Sequence, residues 1–189
     1  AHGGESYFRV EAPGLDPVGD EGRPWLPAMG VLLAVPFGAD VRLEVVSIES
    51  ERAGSYRVEP APTEGFTYDA EPRVPGLAEG ESFPTATIDF LPDRSFYSGS
   101  EAYPRSVAEL GFDTTLRHHR VVQVTLHPFQ YSPRSNTLTV HTRIVARLVL
   151  SGGGRRAPGL ERARVREPEW DMLYAGTCLL YTSPSPRDR

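Results

Sequence analysis

From Thr137 to Leu150 the sequence alternates with a period of two. Leu138, Val140, Ile144, Ala146, Leu148 and Leu150 fall on one side, and Thr139, Arg143 and Arg147 on the other. Successive side chains of a strand point to opposite faces, so this is a long strand with one buried face. Such a strand cannot bury its apolar side alone; it needs neighbours and an opposing layer. The β-rich run Arg120 to His127 precedes it, and Pro128-Phe-Gln-Tyr-Ser-Pro133 turns the chain between them. Together they read as a long closing hairpin at about 120–150, fit to centre a sandwich sheet.

The rest of the chain is consistent with an all-β fold of short antiparallel strands. Ser6 to Glu11 reads as a first strand, ended by Ala-Pro-Gly. Gly30 to Val35 is an almost continuous apolar run closed by Pro36-Phe-Gly38, the pattern of a strand buried on both faces. Val41 to Glu49 alternates, with Val41, Leu43 and Val45 opposed to Arg42 and Glu44; Ser55 to Glu59 and Thr85 to Leu91 are shorter strands. In Thr85 to Leu91, Ala86, Ile88 and Phe90 share a face. Residues 60–84 hold five prolines and read as an irregular excursion. Residues 92–112 carry a helical turn at Ser106 to Leu110, after Pro104. Gly and Pro number 18 each, which favours turns over long helices.

Ser151-Gly-Gly-Gly154 ends this first domain, residues 1–150. Residues 151–167 form a Gly- and Arg-rich linker, with Arg155, Arg156, Arg162, Arg164 and Arg166 among small and acidic residues. Apolar patterning restarts at Glu169-Trp-Asp-Met-Leu-Tyr174, so residues 168–177 read as the start of a further domain. Residues 178–189 differ in character from everything before them, and Cys178 to Asp188 resembles a translated sequencing adapter, a tail to set aside. With it goes Cys178, the one cysteine, and with that any thiol nucleophile, disulfide or thiolate metal site. The tail carries Arg187, Asp188 and Arg189, so leaving it out moves the net charge by one unit, from −5 to −6. An acidic chain argues against nucleic acid as a partner. No apolar run approaches the length of a membrane span. All 20 basic residues are arginine, which excludes Schiff-base chemistry and the Gly-Lys phosphate loop. The chain starts Ala-His-Gly and shows no signal peptide, as a processed start or a fragment would.

Three segments then fall in a telling order. Gly22-Arg-Pro-Trp-Leu-Pro27 supplies Gly22, Pro24, Leu26 and Pro27, and is followed by the apolar strand and Val35-Pro-Phe-Gly-Ala-Asp-Val41. Leu116 to Pro133 runs from basic residues through Val-Val-x-Val into Pro128, Gln130, Tyr131 and Pro133. Trp170 to Tyr174 is an aromatic-x-x-Leu-Tyr stretch. In this order they resemble the N-terminal propeptide of gingipain-like cysteine peptidases, across residues 7–177. The resemblance implies a β-sandwich-like prodomain of a secreted bacterial zymogen, with no catalytic residue or cofactor of its own. Its partner would be the cognate downstream peptidase domain in cis, which it helps to fold and holds inactive until the connecting segment is cut. In arginine-specific members a basic side chain on a prodomain loop enters the acidic specificity pocket. A guanidinium suits that role because it bonds a carboxylate bidentately, and tethering supplies a high effective concentration. Arg94 and Arg105 are the inhibitory-loop candidates; Arg155, Arg156, Arg164 and Arg166 are the processing-site candidates. Each also reads as an ordinary solvated arginine.

Other constellations are weaker. His118 and His119 are adjacent, so on a strand they face opposite ways; His127 and His141 flank the hairpin but lack further ligands at metal spacing, and no metal is expected. Asp16, Asp20 and Glu21 form an acidic loop explained by turn chemistry better than by calcium. Ser98 and Ser100 lack a nucleophile elbow. Tyr7, Phe8, Trp25, Phe37, Phe90, Tyr97, Tyr103 and Phe129 read as core and rim packing. A rival reading, an extracellular β-sandwich binding or adhesion module, requires instead that they form an exposed platform.

Overall fold

The computed structural model describes residues 6–68, 84–116 and 119–152. Nine strands follow in chain order: β1 (Asp16–Val18), β2 (Leu26–Val35), β3 (Ala39–Ser55), β4 (Thr63–Tyr68), β5 (Pro84–Asp89), β6 (Ala108–Leu116), β7 (His119–Leu126), β8 (Phe129–Ser132) and β9 (Thr137–Gly152). One helical turn, α1 (Arg94–Tyr97), stands between β5 and β6, and a 3-10 turn, Pro133–Ser135, joins β8 to β9. The expected all-β class holds.

A four-stranded sheet has the order β1-β2-β7-β6, a three-stranded sheet the order β3-β9-β8, and β4 and β5 pair alone. The closing hairpin is therefore β8–β9, while β7 belongs to the other sheet, paired antiparallel to β2 and to β6. Pro128 accounts for the change of sheet. It stands two residues after β7 ends and has no N–H to extend the ladder. By compact packing the chain forms two units: Ala1–Pro27, Arg52–Tyr103 and Tyr131–Thr139 make the first, and Ala28–Glu51, Pro104–Gln130 and Val140–Arg189 the second.

In the first unit the core is Leu26, Val58, Ala61, Phe96, Tyr131 and Leu138. The expected strand at Ser6 to Glu11 reduces to a single bridge, Phe8 to Val58. Its chain neighbour Arg9 turns to Glu59 at 2.7 Å and stacks over Trp25. Ser55 to Glu59 likewise forms no strand of its own; Ser55 ends β3, and Val58, Pro60 and Ala61 make isolated bridges. The irregular excursion contains β4, which pairs with β5 in register Thr63 to Asp89; residues 69–83 lie outside the described residues. Ile88, which the alternation puts on one face with Ala86 and Phe90, is 64% exposed.

In the second unit Ala28, Val35, Ala39, Ala108, Val121, Val122 and Val124 are buried. β7 is the central strand, so Val121 and Val122, which point to opposite faces, are both covered. β2 begins four residues before Gly30, at Leu26, and its middle is half-buried rather than covered on both faces, because β1 flanks it for three residues only. β3 keeps the expected alternation over Val41, Arg42, Leu43 and Glu44, then stays exposed to Ala53. Along β9 the alternation breaks at His141, which is buried, next to Thr142, which is exposed.

Candidate functional site

The first two of the three resembling segments are structural grips, and each holds the segment of one candidate arginine. In the first unit Gly22 is buried with φ +73°, a conformation open to glycine. A Cβ there would lie 2.9 Å from the Leu91 carbonyl oxygen and 3.0 Å from the Asp93 nitrogen. The Gly22 N–H donates to the Ala61 carbonyl at 3.2 Å, and the Gly22 carbonyl accepts from the Asp93 N–H at 2.9 Å. Pro24 bridges to Pro60, and Pro24, Leu26 and Pro27 are all buried. Gly22 to Pro27 thus clamps residues 59–61 and 91–93 together.

Asp93, held there, starts α1. Its Oδ1 accepts from the Ser95 N–H at 2.9 Å, the Ser95 hydroxyl at 2.7 Å and the Phe96 N–H at 3.2 Å. The Ser95 hydroxyl first, then the Phe96 N–H, holds the Asp93 carboxyl below the usual carboxylate range, and the nearby Arg23 adds to this. This N-cap explains why the helical turn forms at Arg94 and not at Ser106 to Leu110, where the chain instead enters β6. Arg94 is exposed, at the first helical position, and its carbonyl accepts from the Ser98 N–H and hydroxyl. Arg23 lies over the Phe96 ring at 4.7 Å, which seats the turn from the other side.

Also in the first unit, Tyr131 is fully buried and exchanges two backbone hydrogen bonds with Tyr103, at 2.7 and 2.8 Å. Its hydroxyl donates to Asn136 Oδ1 at 2.7 Å, and Asn136 takes the left-handed conformation that ends the 3-10 turn opened by Pro133. Burial pushes the Tyr131 phenol up. Tyr97 packs on Tyr131, its phenol also pushed up by burial, and donates to the Val58 carbonyl at 2.8 Å. The Tyr103 hydroxyl accepts from the Asp20 N–H at 3.0 Å, so the acidic loop is a tethered turn.

In the second unit Gln130 Nε2 donates to the Pro104 carbonyl at 2.9 Å, which fixes the bend carrying exposed Arg105. The Pro128 carbonyl accepts from the His141 N–H at 2.7 Å. His141 Nδ1 meets the Ser50 hydroxyl at 2.8 Å, and its buried Nε2 has no hydrogen-bond partner among the described residues. Burial lowers its basicity. This Ser–His pair lacks the orienting carboxylate that a hydrolytic triad places behind the ring. His127 instead meets Glu109 at 2.8 Å, and no cluster of three metal-ligating groups occurs among the described residues.

Sequence reasoning singled out the motif residues, Arg94 and Arg105 as candidates, but did not foresee β1, the Asp93 cap or the Asn136 cap. The signal for Asp93 was present, since Asp-Arg-Ser after Pro92 is an N-cap pattern. The candidates Arg155, Arg156, Arg164 and Arg166, the stretch Trp170 to Tyr174, the tail and His118 lie outside the described residues. The aromatic side chains largely pack inward: Phe96 and Tyr131 are buried, and half-buried Trp25 is covered by Arg9 and packs on Phe90. An exposed pair, Phe8 and Tyr56, remains at the surface.

Comparison with known proteins places these features. The family described as Propeptide_C25 matches residues 4–157. Lys-gingipain of Porphyromonas gingivalis is 25% identical over 149 residues, covering 79% of this chain and 8% of the relative; Lys-gingipain W83 of the same organism matches equally. The chain thus spans under a tenth of these relatives. Among solved structures, a complex of the P. gingivalis RgpB pro- and mature domains superposes with a TM-score of 0.59 at 20% identity, covering 85% of this chain and 73% of that one. A structure on the zymogenic latency of gingipain K from P. gingivalis gives 0.54 at 24% identity, covering 74% and 71%. The extent of the family match decides the family: the chain belongs to the Propeptide_C25 family and is a gingipain-like propeptide.

Proposed function

We propose that this propeptide inhibits and helps to fold a gingipain-like cysteine endopeptidase encoded after it, and that Arg105 is the side chain offered to the peptidase. The observation that carries the reading is the grip of Gln130 on the Pro104 carbonyl, which presents Arg105 exposed on a fixed bend outside any helix. A substrate mimic must lie outside helical hydrogen bonding to be read as a peptide. Arg94 has its carbonyl engaged by Ser98 within a helical turn, which suits it less. The chain has no lysine, so any basic mimic it offers is an arginine.

Residues 151–167 would be the cleavable linker, cut at Arg155, Arg156, Arg164 or Arg166, and residues 168–177 the start of the peptidase domain. The end of the family match at residue 157, before Trp170, supports that division. Secretion would follow from the same reading. No helix among the described residues is long and apolar enough to cross a membrane.

The test is inhibition in trans of the peptidase domain, recovered from the coding sequence beyond Thr177. Wild-type chain and Arg94→Ala should inhibit alike, and Arg105→Ala should weaken inhibition by roughly 100-fold, as expected of a central charged anchor. No inhibition by wild-type chain at micromolar concentration would overturn the reading. Equal inhibition by Arg105→Ala would remove Arg105 from it.

A further inference from the structure

We propose that the bulged outer edge of β6, centred on Leu110 and Phe112, is the surface on which the peptidase domain docks. The inference rests on the inhibitory reading above and names where the partner lies. β6 is the terminal strand of its sheet, and every residue of it after Ala108 is exposed. Leu110 opposes Val124 and Asp113 opposes Val122, so Gly111 and Phe112 together face Gln123 alone. Two residues against one is a β-bulge, a device that re-aims side chains at a sheet edge. Gly111 permits it, because a Cβ there would lie 2.6 Å from Gln123 Oε1. Phe112 is left 50% exposed. Leu110 and Leu116 are exposed beside it.

An edge strand left apolar invites pairing, and proteins blunt edges meant to stay free with charge. β3, the terminal strand of the other sheet, is blunted in this way: Val45, Val46 and Ile48 are exposed among Arg42, Glu44, Glu49 and Glu51. Between Leu110 and Leu116 the one charge is Asp113, and the Arg120 guanidinium neutralises it through two hydrogen bonds. β6 carries two charges, Glu109 and Asp113, and each is paired, with His127 and Arg120, which leaves Leu110, Phe112 and Leu116 as its exposed apolar groups.

The occupant follows from where the chain leads. Arg105 stands three residues before β6 begins. At the other end, Arg120 opposes Thr115 of β6 and donates through Nη1 to the Pro36 and Ala39 carbonyls, at 3.2 and 2.6 Å. Gly152, the last residue of β9, lies against Gly38 in that same turn. The described residues therefore end near the Leu116 end of β6. At about 3.3 Å per residue, β6 spans roughly 30 Å. A domain leashed past Gly152 and engaging Arg105 has the bulged edge along the line between its two attachments.

The experiment measures affinity of the full chain for the isolated peptidase domain, with wild type, Phe112→Asp, Leu110→Asp and, as a control on the other edge, Val46→Asp. Phe112→Asp and Leu110→Asp should each weaken binding by about tenfold or more, the effect of losing an apolar anchor, while Val46→Asp binds as wild type does. Hydrogen exchange of wild-type chain keeps the test independent of variant folding: β6 amides should gain protection on adding peptidase. Tight wild-type binding with unchanged variants and unprotected β6 amides would overturn the docking edge and leave the inhibitory reading standing. Concentration-dependent dimerisation abolished by Phe112→Asp, with peptidase binding untouched, would assign the edge to a second copy and also overturn it. Absence of any wild-type binding would overturn both.

Discussion

The side-chain amide of Gln130 reaches the carbonyl of Pro104 at 2.9 Å, one peptide bond before Arg105. Replacing Gln130 with Leu keeps the volume and removes the donor. The Pro104 carbonyl then loses its partner, at a cost of about 1 kcal/mol. The expected outcome is a small fall in denaturant midpoint with a larger fall in trans inhibition, because the bend loosens while the strands persist. Paired unfolding and inhibition titrations check it.

Gly22→Ala should destabilise the chain by at least about 1 kcal/mol, from the left-handed backbone alone, before any clash with the Leu91 carbonyl. By contrast Gly14→Ala, at a similar φ but with nothing within 4 Å of the added Cβ, should be the milder change. Equilibrium unfolding of the two variants side by side measures the difference the clamp makes.

Tyr131 supplies the largest fully buried side chain. Tyr131→Ala should cost about 3–5 kcal/mol, the usual range for emptying an aromatic site. Tyr131→Phe, which keeps the ring and removes the hydroxyl with its hydrogen bond to Asn136, should cost about 1 kcal/mol. Thermal unfolding of both variants reads the ratio.

His141 makes stability pH-dependent. Burial lowers its pKa in the folded chain below the ordinary value of 6.5, so the unfolded chain binds this proton more readily. Its contribution is therefore fully present above pH 6.5 and is lost as pH falls through the lower folded pKa. Ser50 on β3 faces Nδ1; the neighbouring charges Glu49 and Arg143 pair with each other, and His127 pairs with Glu109. His141→Gln should flatten the slope of unfolding free energy between pH 7 and 5, measured by urea titration at each pH.

What the sequence made legible was whatever rested on local pattern. The β class, β7 and β9 could be read because alternation and β-branched residues act within each strand. The hairpin partner of β9 could not be foreseen, since the choice between β7 and β8 depends on which sheet receives the chain after Pro128. The Gly22 and Gln130 motifs were visible as residues but not as clamps. Their targets, Asp93 and Pro104, stand 71 and 26 positions away in the numbering, beyond the reach of any local rule. The exposure of β3 beyond Glu44 was not legible for a related reason: alternation marks which residues face together, whereas exposure depends on what covers that face.

The same separation sets a timetable for synthesis. Gly22 is complete only when Ala61 and Asp93 have been made, and the buried ring at its unit's centre belongs to residue 131. At about 5–20 residues per second, the segment around Gly22 waits roughly 5–20 s on the ribosome for Tyr131. During that interval its apolar residues have no core to join. The strength of the finished contacts at Gly22 therefore has no bearing on that early interval, because their partners do not yet exist.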